Sequence, residues 1–105
     1  MEQTITISKK EMERINELLH MTGDEIYQKY GLKRDETVVH TAVFPNGIEA
    51  DIKLVICEEE YPYTEGVLFH NGFELTHTDC EDTYDGEWWF EHNGIEYVVN
   101  VVVEE

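Results

Sequence analysis

Positive charge is almost missing from the last two-thirds of this chain. From residue 35 onward Lys53 is the one Lys or Arg, set against 18 Asp and Glu. Surfaces that hold nucleic acid neutralise its phosphates with clustered Lys and Arg, so direct binding of DNA or RNA by this part is not expected. Serine is as scarce: Ser8 stands alone, ahead of a helical pattern where a cap is needed, which leaves no serine for a nucleophile and base pair. No glycine-rich phosphate loop occurs, since the glycines fall mostly at turns. Cysteine is limited to Cys57 and Cys80, too few to staple a small secreted scaffold. No apolar run approaches the ~20 residues of a membrane span. The opening Met1-Glu2-Gln3-Thr4 lacks the basic-then-apolar order of a signal peptide. These absences lead to the expectation of a soluble, cytoplasmic protein that is not an enzyme.

What remains is short and acidic. The 105 residues carry 24 Asp plus Glu against 7 Lys plus Arg, a formal charge of −17, with 41% hydrophobic and 11% aromatic residues. A chain of this length can bury roughly two-thirds of its extended surface, which is enough for one core, so residues 1–105 read as a single folded domain. The charge is divided unevenly. Residues 1–34 are neutral, with six bases and six acids, and residues 35–105 carry the whole excess.

The neutral part has the helical period. Ser8 followed by Glu11 fits a capping box, and Met12, Ile15, Leu18 and Leu19 share one face, which predicts a helix over about 9–20. Thr22 with Glu25 repeats the cap, and Gly31 is a natural stop for a second helix over about 23–30. After Arg34 the period becomes two, and three pairs, Asn46-Gly47, Asn71-Gly72 and Asn93-Gly94, supply the positive φ that tight hairpins require. Strands are predicted at about 36–44, 48–57, 66–70, 73–78, 87–92 and 95–103. The expected fold class is α+β: two N-terminal helices (1–34), then a six-stranded antiparallel meander of three Asn-Gly hairpins (35–105).

The alternation assigns faces. Ile48, Ala50, Ile52, Leu54 and Ile56 share one side of their strand, with Glu49, Asp51 and Lys53 on the other. Across the last turn Phe90 should oppose Tyr97 and Trp88 should oppose Val99, as core pairs. The outer face is less ordinary, because Trp89 falls between Glu87 and Glu91, and Glu91 opposes Glu96, a like-charge pair that opposes stability.

A meander places all three Asn-Gly turns at one end. The other end then collects 13 of the 18 acids: Asp35, Glu36, Glu58, Glu59, Glu60, Glu65, Asp79, Glu81, Asp82, Asp85, Glu87, Glu104 and Glu105. Stability does not ask for this crowding, since like charges repel. The acids are interrupted by Tyr61, Tyr63, Tyr84, Trp88 and Trp89. Rigid aromatic surface beside carboxylates suits a partner rich in Arg, by stacking and charge together. The expected partner-binding residues are Glu58, Glu59, Glu60, Asp79, Glu81, Asp82 and Asp85, with Tyr61, Tyr63 and Tyr84 as anchors.

In size, charge, α+β reading and lack of a catalytic motif, the chain resembles the small acidic inhibitors of phages and mobile elements, the anti-CRISPR and anti-restriction proteins that mimic DNA. The resemblance is to a class and rests on no motif. It implies an inhibitor that keeps nucleic acid out of the basic groove of a CRISPR nuclease or restriction enzyme.

Two other readings stay open. His77 and Cys80 are three residues apart, a zinc-compatible spacing, and Cys57 should reach the same end, so these three are the candidate metal ligands for Zn. The acids from Asp79 to Glu87 resemble a calcium loop, but no glycine sits at the sixth position that such a loop requires. His70 and His92 precede equivalent turns and fall at the opposite end. Val98, Val102, Phe69 and Trp89 on the outer face would alternatively join two copies, so monomer and homodimer are both open.

Overall fold

The computed structural model describes residues 1–32 and 37–105, with the backbone alone at Thr37 and at 79–81. The chain runs β1 (Glu2–Ser8), α1 (Lys9–Leu19), α2 (Gly23–Tyr30), β2 (Thr37–Val43), β3 (Glu49–Val55), β4 (Tyr63–His70), β5 (Phe73–Glu81), β6 (Gly86–His92) and β7 (Ile95–Glu104). The strands form a three-stranded sheet ordered β1-β7-β6 and a four-stranded sheet ordered β2-β3-β4-β5. The expected fold class is thereby corrected. The protein is mostly β, a strand precedes the two helices, and the remaining strands divide between two sheets instead of running through one meander.

Both helices form where their caps direct. Ser8 Oγ accepts the Glu11 N–H at 3.1 Å, and Met12, Ile15 and Leu18 of α1 are buried. Thr22 and Glu25 make both halves of a capping box, at 3.3 and 3.1 Å, and α2 ends at Gly31 with φ 74°. Lys29 of α2 is salt-bridged to Glu17 of α1, which ties the helices at their exposed side.

Strand β1 alternates Thr4, Ile5, Thr6 and Ile7, with both isoleucines buried. It lies parallel to β7, from Glu2 opposite Val98 to Ser8 opposite Glu104. A parallel partner near the other end of the chain has no turn between them to announce it, which is why the strand escapes a reading based on hairpins.

The meander breaks at a definite place. After β5 the chain turns Tyr84 fully into the core, passes Gly86 at φ 118°, and starts β6 in the other sheet. The two sheets face each other closely because Gly66 has no side chain: a Cβ there would stand 2.7 Å from the Phe90 ring and 3.0 Å from Trp88. Bulges flank this point in the β4–β5 ladder and bend it. The sheet edges also approach each other, β5 beside β6 and β1 beside β2. One apolar cluster fills the core, drawing on β1, both helices and strands of each sheet. Within the last hairpin the register matches the sequence reading, with Trp88 opposite Val99, Phe90 opposite Tyr97, Trp89 opposite Val98 and Glu91 opposite Glu96.

Candidate functional site

Two loops build the acidic end. The segment between β3 and β4 carries Glu58, Glu59 and Glu60, and the segment between β5 and β6 carries Asp82 and Asp85, all five exposed. They are held as one surface, because the Thr64 hydroxyl at the start of β4 donates to the Thr83 carbonyl at 3.3 Å. The first loop is also seated on α2: the Gly23 N–H donates to the Glu60 carbonyl at 2.9 Å, which brings exposed Asp24 to the same end. Glu59 takes φ 63°, a left-handed conformation that a side chain adopts at some strain.

Among the described residues the bases do not pair with this surface: none of the five loop carboxylates makes an ion pair, and Lys33 and Arg34 lie outside those residues. Lys29 is engaged with Glu17, Arg14 lies over the Tyr30 ring at 5.4 Å, and Lys53 lies over Phe69 at 5.1 Å. Of the other expected acids, Asp35 and Glu36 lie outside the described residues, as do the side chains of Asp79 and Glu81.

The aromatic anchors need correction. Tyr61 is 63% exposed and stands among the acids, Tyr63 is half-buried, and Tyr84 is completely buried. Tyr84 donates its hydroxyl proton to the Ile52 carbonyl at 2.8 Å, and the same oxygen lies 2.6 Å from His40 Nδ1. His40 Nε2 in turn lies 2.7 Å from Glu11 Oε1, so the chain of bonds runs from β3 through Tyr84 and β2 to α1. The Trp88 indole N–H donates to the Tyr84 carbonyl at 3.1 Å and is likewise buried. Tyr84 and Trp88 therefore secure the floor under the acids and present nothing to a partner. On the outer face Trp89 is 51% exposed, whereas Val98 opposite it is buried.

Burial, and then the charges of Glu11 and Asp51, hold the Tyr84 hydroxyl well above the ordinary tyrosine value. A group raised in the folded state stabilises fully below its unfolded pKa, about 10 for tyrosine, and loses that contribution as pH climbs through the folded value. Denaturant titrations are therefore expected to show stability falling above about pH 10. Tyr84→Phe should remove part of this alkaline loss, at a fixed penalty of about 1–2 kcal/mol at neutral pH for the lost hydrogen bonds.

Of the expected metal ligands, the structure describes the side chains of His77 and Cys57. His77 faces outward, opposite Val67 in the β4–β5 ladder, with Nδ1 3.3 Å from Glu74 Oε1. Cys57 follows β3 and packs its carbonyl against Gly23. The Cys80 side chain lies outside the described residues. Among the described residues no group of three or more His, Cys, Asp or Glu comes together to hold a metal.

At the opposite end the three Asn-Gly turns converge on a cleft of about 250 Å³, as the turn positions imply. The Asn46 carboxamide is fixed there: Oδ1 accepts the Ile48 N–H at 3.2 Å, and Nδ2 donates to the Tyr97 hydroxyl at 3.1 Å. His70 and His92 stand on its walls. Sequence reading places the two histidines and Asn46 at this end but not the meeting of Asn46 with Tyr97, which depends on the two sheets facing each other. Among the described residues no helix is long and apolar enough to cross a membrane. In comparisons with family models, curated proteins and solved structures, nothing matches the chain.

Proposed function

We propose that the protein is an inhibitor that presents its acidic loops to the basic, nucleic-acid-holding groove of a CRISPR nuclease or restriction enzyme and competes with the nucleic acid for it. The observation that carries this reading is the set of five exposed loop carboxylates, Glu58, Glu59, Glu60, Asp82 and Asp85, joined at one end without a basic partner among the described residues. Such a set meets the Lys and Arg of a phosphate-binding groove as phosphates do, and releases the same bound counter-ions. Tyr61 adds rigid contact area beside them and stacks on guanidinium groups. The surface is a partner-binding one, and the reading involves no catalysis, no cofactor and no contact with nucleic acid itself.

Capture by tagged protein of a CRISPR nuclease and of restriction enzymes, each empty and loaded with nucleic acid, tests the proposal. Salt-sensitive capture of the empty forms alone supports competition for the groove. Equal capture of empty and loaded enzyme, or none of either, overturns it.

The strain at Glu59 provides a separate check. Glu59→Gly relieves the left-handed backbone and is expected to raise stability by about 1 kcal/mol in denaturant unfolding. The same change removes one carboxylate and should weaken capture. A variant that gains stability and keeps full capture would remove Glu59 from the binding surface.

A further inference from the structure

The cleft at the Asn-Gly end is chemically unlike the rest of this acidic molecule. A polarised chain of donors leads into it: the Ile48 N–H bonds to Asn46 Oδ1, and Asn46 Nδ2 bonds to the Tyr97 oxygen. Tyr97 is 1% exposed, its ring set edge-on to Phe44 at 5.0 Å. Its hydroxyl oxygen is thus an acceptor for Asn46, and its own proton has no acceptor among the described residues. A hydroxyl that already accepts is a better donor, so the chain ends in a strong, buried donor on the cleft wall. His70, exposed at the rim, adds a polar ring whose Nε2 lies 3.3 Å from Asn71 Nδ2.

Of the remaining walls, His92 and Asn93 are polar, while Ile48 is buried, Leu75 packs against the core and Ile95 is 41% exposed at the mouth. The volume of about 250 Å³ falls below the ~300–1,000 Å³ of drug-sized sites and suits a single ring. Charge restricts the ligand further. Glu91 and Glu96 pair across β6 and β7 next to His92 and Ile95, and the chain as a whole carries −17, which opposes a carboxylate or phosphate.

We propose that this cleft binds a small uncharged cyclic amide or imide, its ring against Ile48, Leu75 and Ile95 and its carbonyl accepting the Tyr97 hydroxyl proton. The site is separate from the acidic loops and does not depend on their role.

The test follows backbone amide shifts of the labelled full chain during titration with uracil and with succinimide, and with toluene and benzoate as apolar and anionic comparisons, each to about 10 mM. Shifts confined to Ile48, His92 and Ile95 on adding either carbonyl ring are expected. Tyr97→Phe should weaken binding about tenfold, the loss of one neutral hydrogen bond. Ile95→Trp, which fills the mouth and leaves the Asn46–Tyr97 pair in place, should abolish it. No shifts with either ring, equal binding of toluene or benzoate, or full affinity in Tyr97→Phe overturns the proposal.

Discussion

Gly23→Ala is expected to lower the unfolding free energy by about 3 kcal/mol or more, read as a fall in the denaturant midpoint at unchanged slope. The added Cβ would stand 1.9 Å from the Cys57 carbonyl oxygen and 3.1 Å from the Glu59 nitrogen. Both neighbours are backbone, so no rotamer change relieves the overlap; either α2 or the loop after β3 must move. Movement also breaks the bond from Gly23 N–H to the Glu60 carbonyl. Since small domains are stable by only about 5–15 kcal/mol, the loss is a large share of the total. The variant tests function as well, because this contact sets where Glu58, Glu59 and Glu60 stand relative to Asp82 and Asp85. Partner capture should fall in the folded fraction of the variant. A stability loss under about 1 kcal/mol would mean that the loop is not seated on α2 as described.

Gly23 also shows where sequence reading stops. As the first residue after the Thr22 cap it reads as part of a helix start, and nothing local reveals that a loop more than thirty residues away lies against it. The features that were legible are those decided by neighbours in sequence: both capped helices, the three Asn-Gly turns, and the register of the last hairpin down to Trp88 against Val99. The features that were not legible are decided across the chain. Strand β1 needs β7 as its parallel partner, and the division into two sheets needs Tyr84 to leave the ladder and enter the core. Tyr84 sits between Thr83 and Asp85 in an acidic segment and so reads as a surface aromatic, yet its hydroxyl finds Ile52 and His40 on other strands. The acidic loops themselves were legible, because runs of carboxylates beside turns have few places to go except solvent. Which of those acids lack an ion-pair partner among the described residues was not, since that depends on Lys29, Arg14 and Lys53 being engaged with Glu17, Tyr30 and Phe69.

That distinction makes the strongest functional prediction one of position and not of total charge. Changing Glu58, Glu60, Asp82 and Asp85 together to Lys is expected to reduce capture of an empty basic-groove enzyme by about 100-fold or more, since tenfold corresponds to 1.4 kcal/mol and each reversal turns an attraction into a repulsion. Stability should be unchanged or slightly higher, because all four side chains are exposed and like-charge crowding is relieved. The matched comparison reverses Glu49, Glu74, Glu91 and Glu96, which are equally exposed, lie near the Asn-Gly turns, and change the net charge by the same amount. Long-range attraction between an acidic protein and a basic enzyme would respond to both sets alike and fade together in salt. A surface that enters a groove responds mainly to the first, and its residual binding loses salt sensitivity because the released counter-ions are fewer. Equal loss in the two variants would reduce the acidic loops to a share of the overall field. A hundredfold loss in the first, with capture in the second within about tenfold of the parent, would place the partner on the loops that Gly23 and Thr64 hold together.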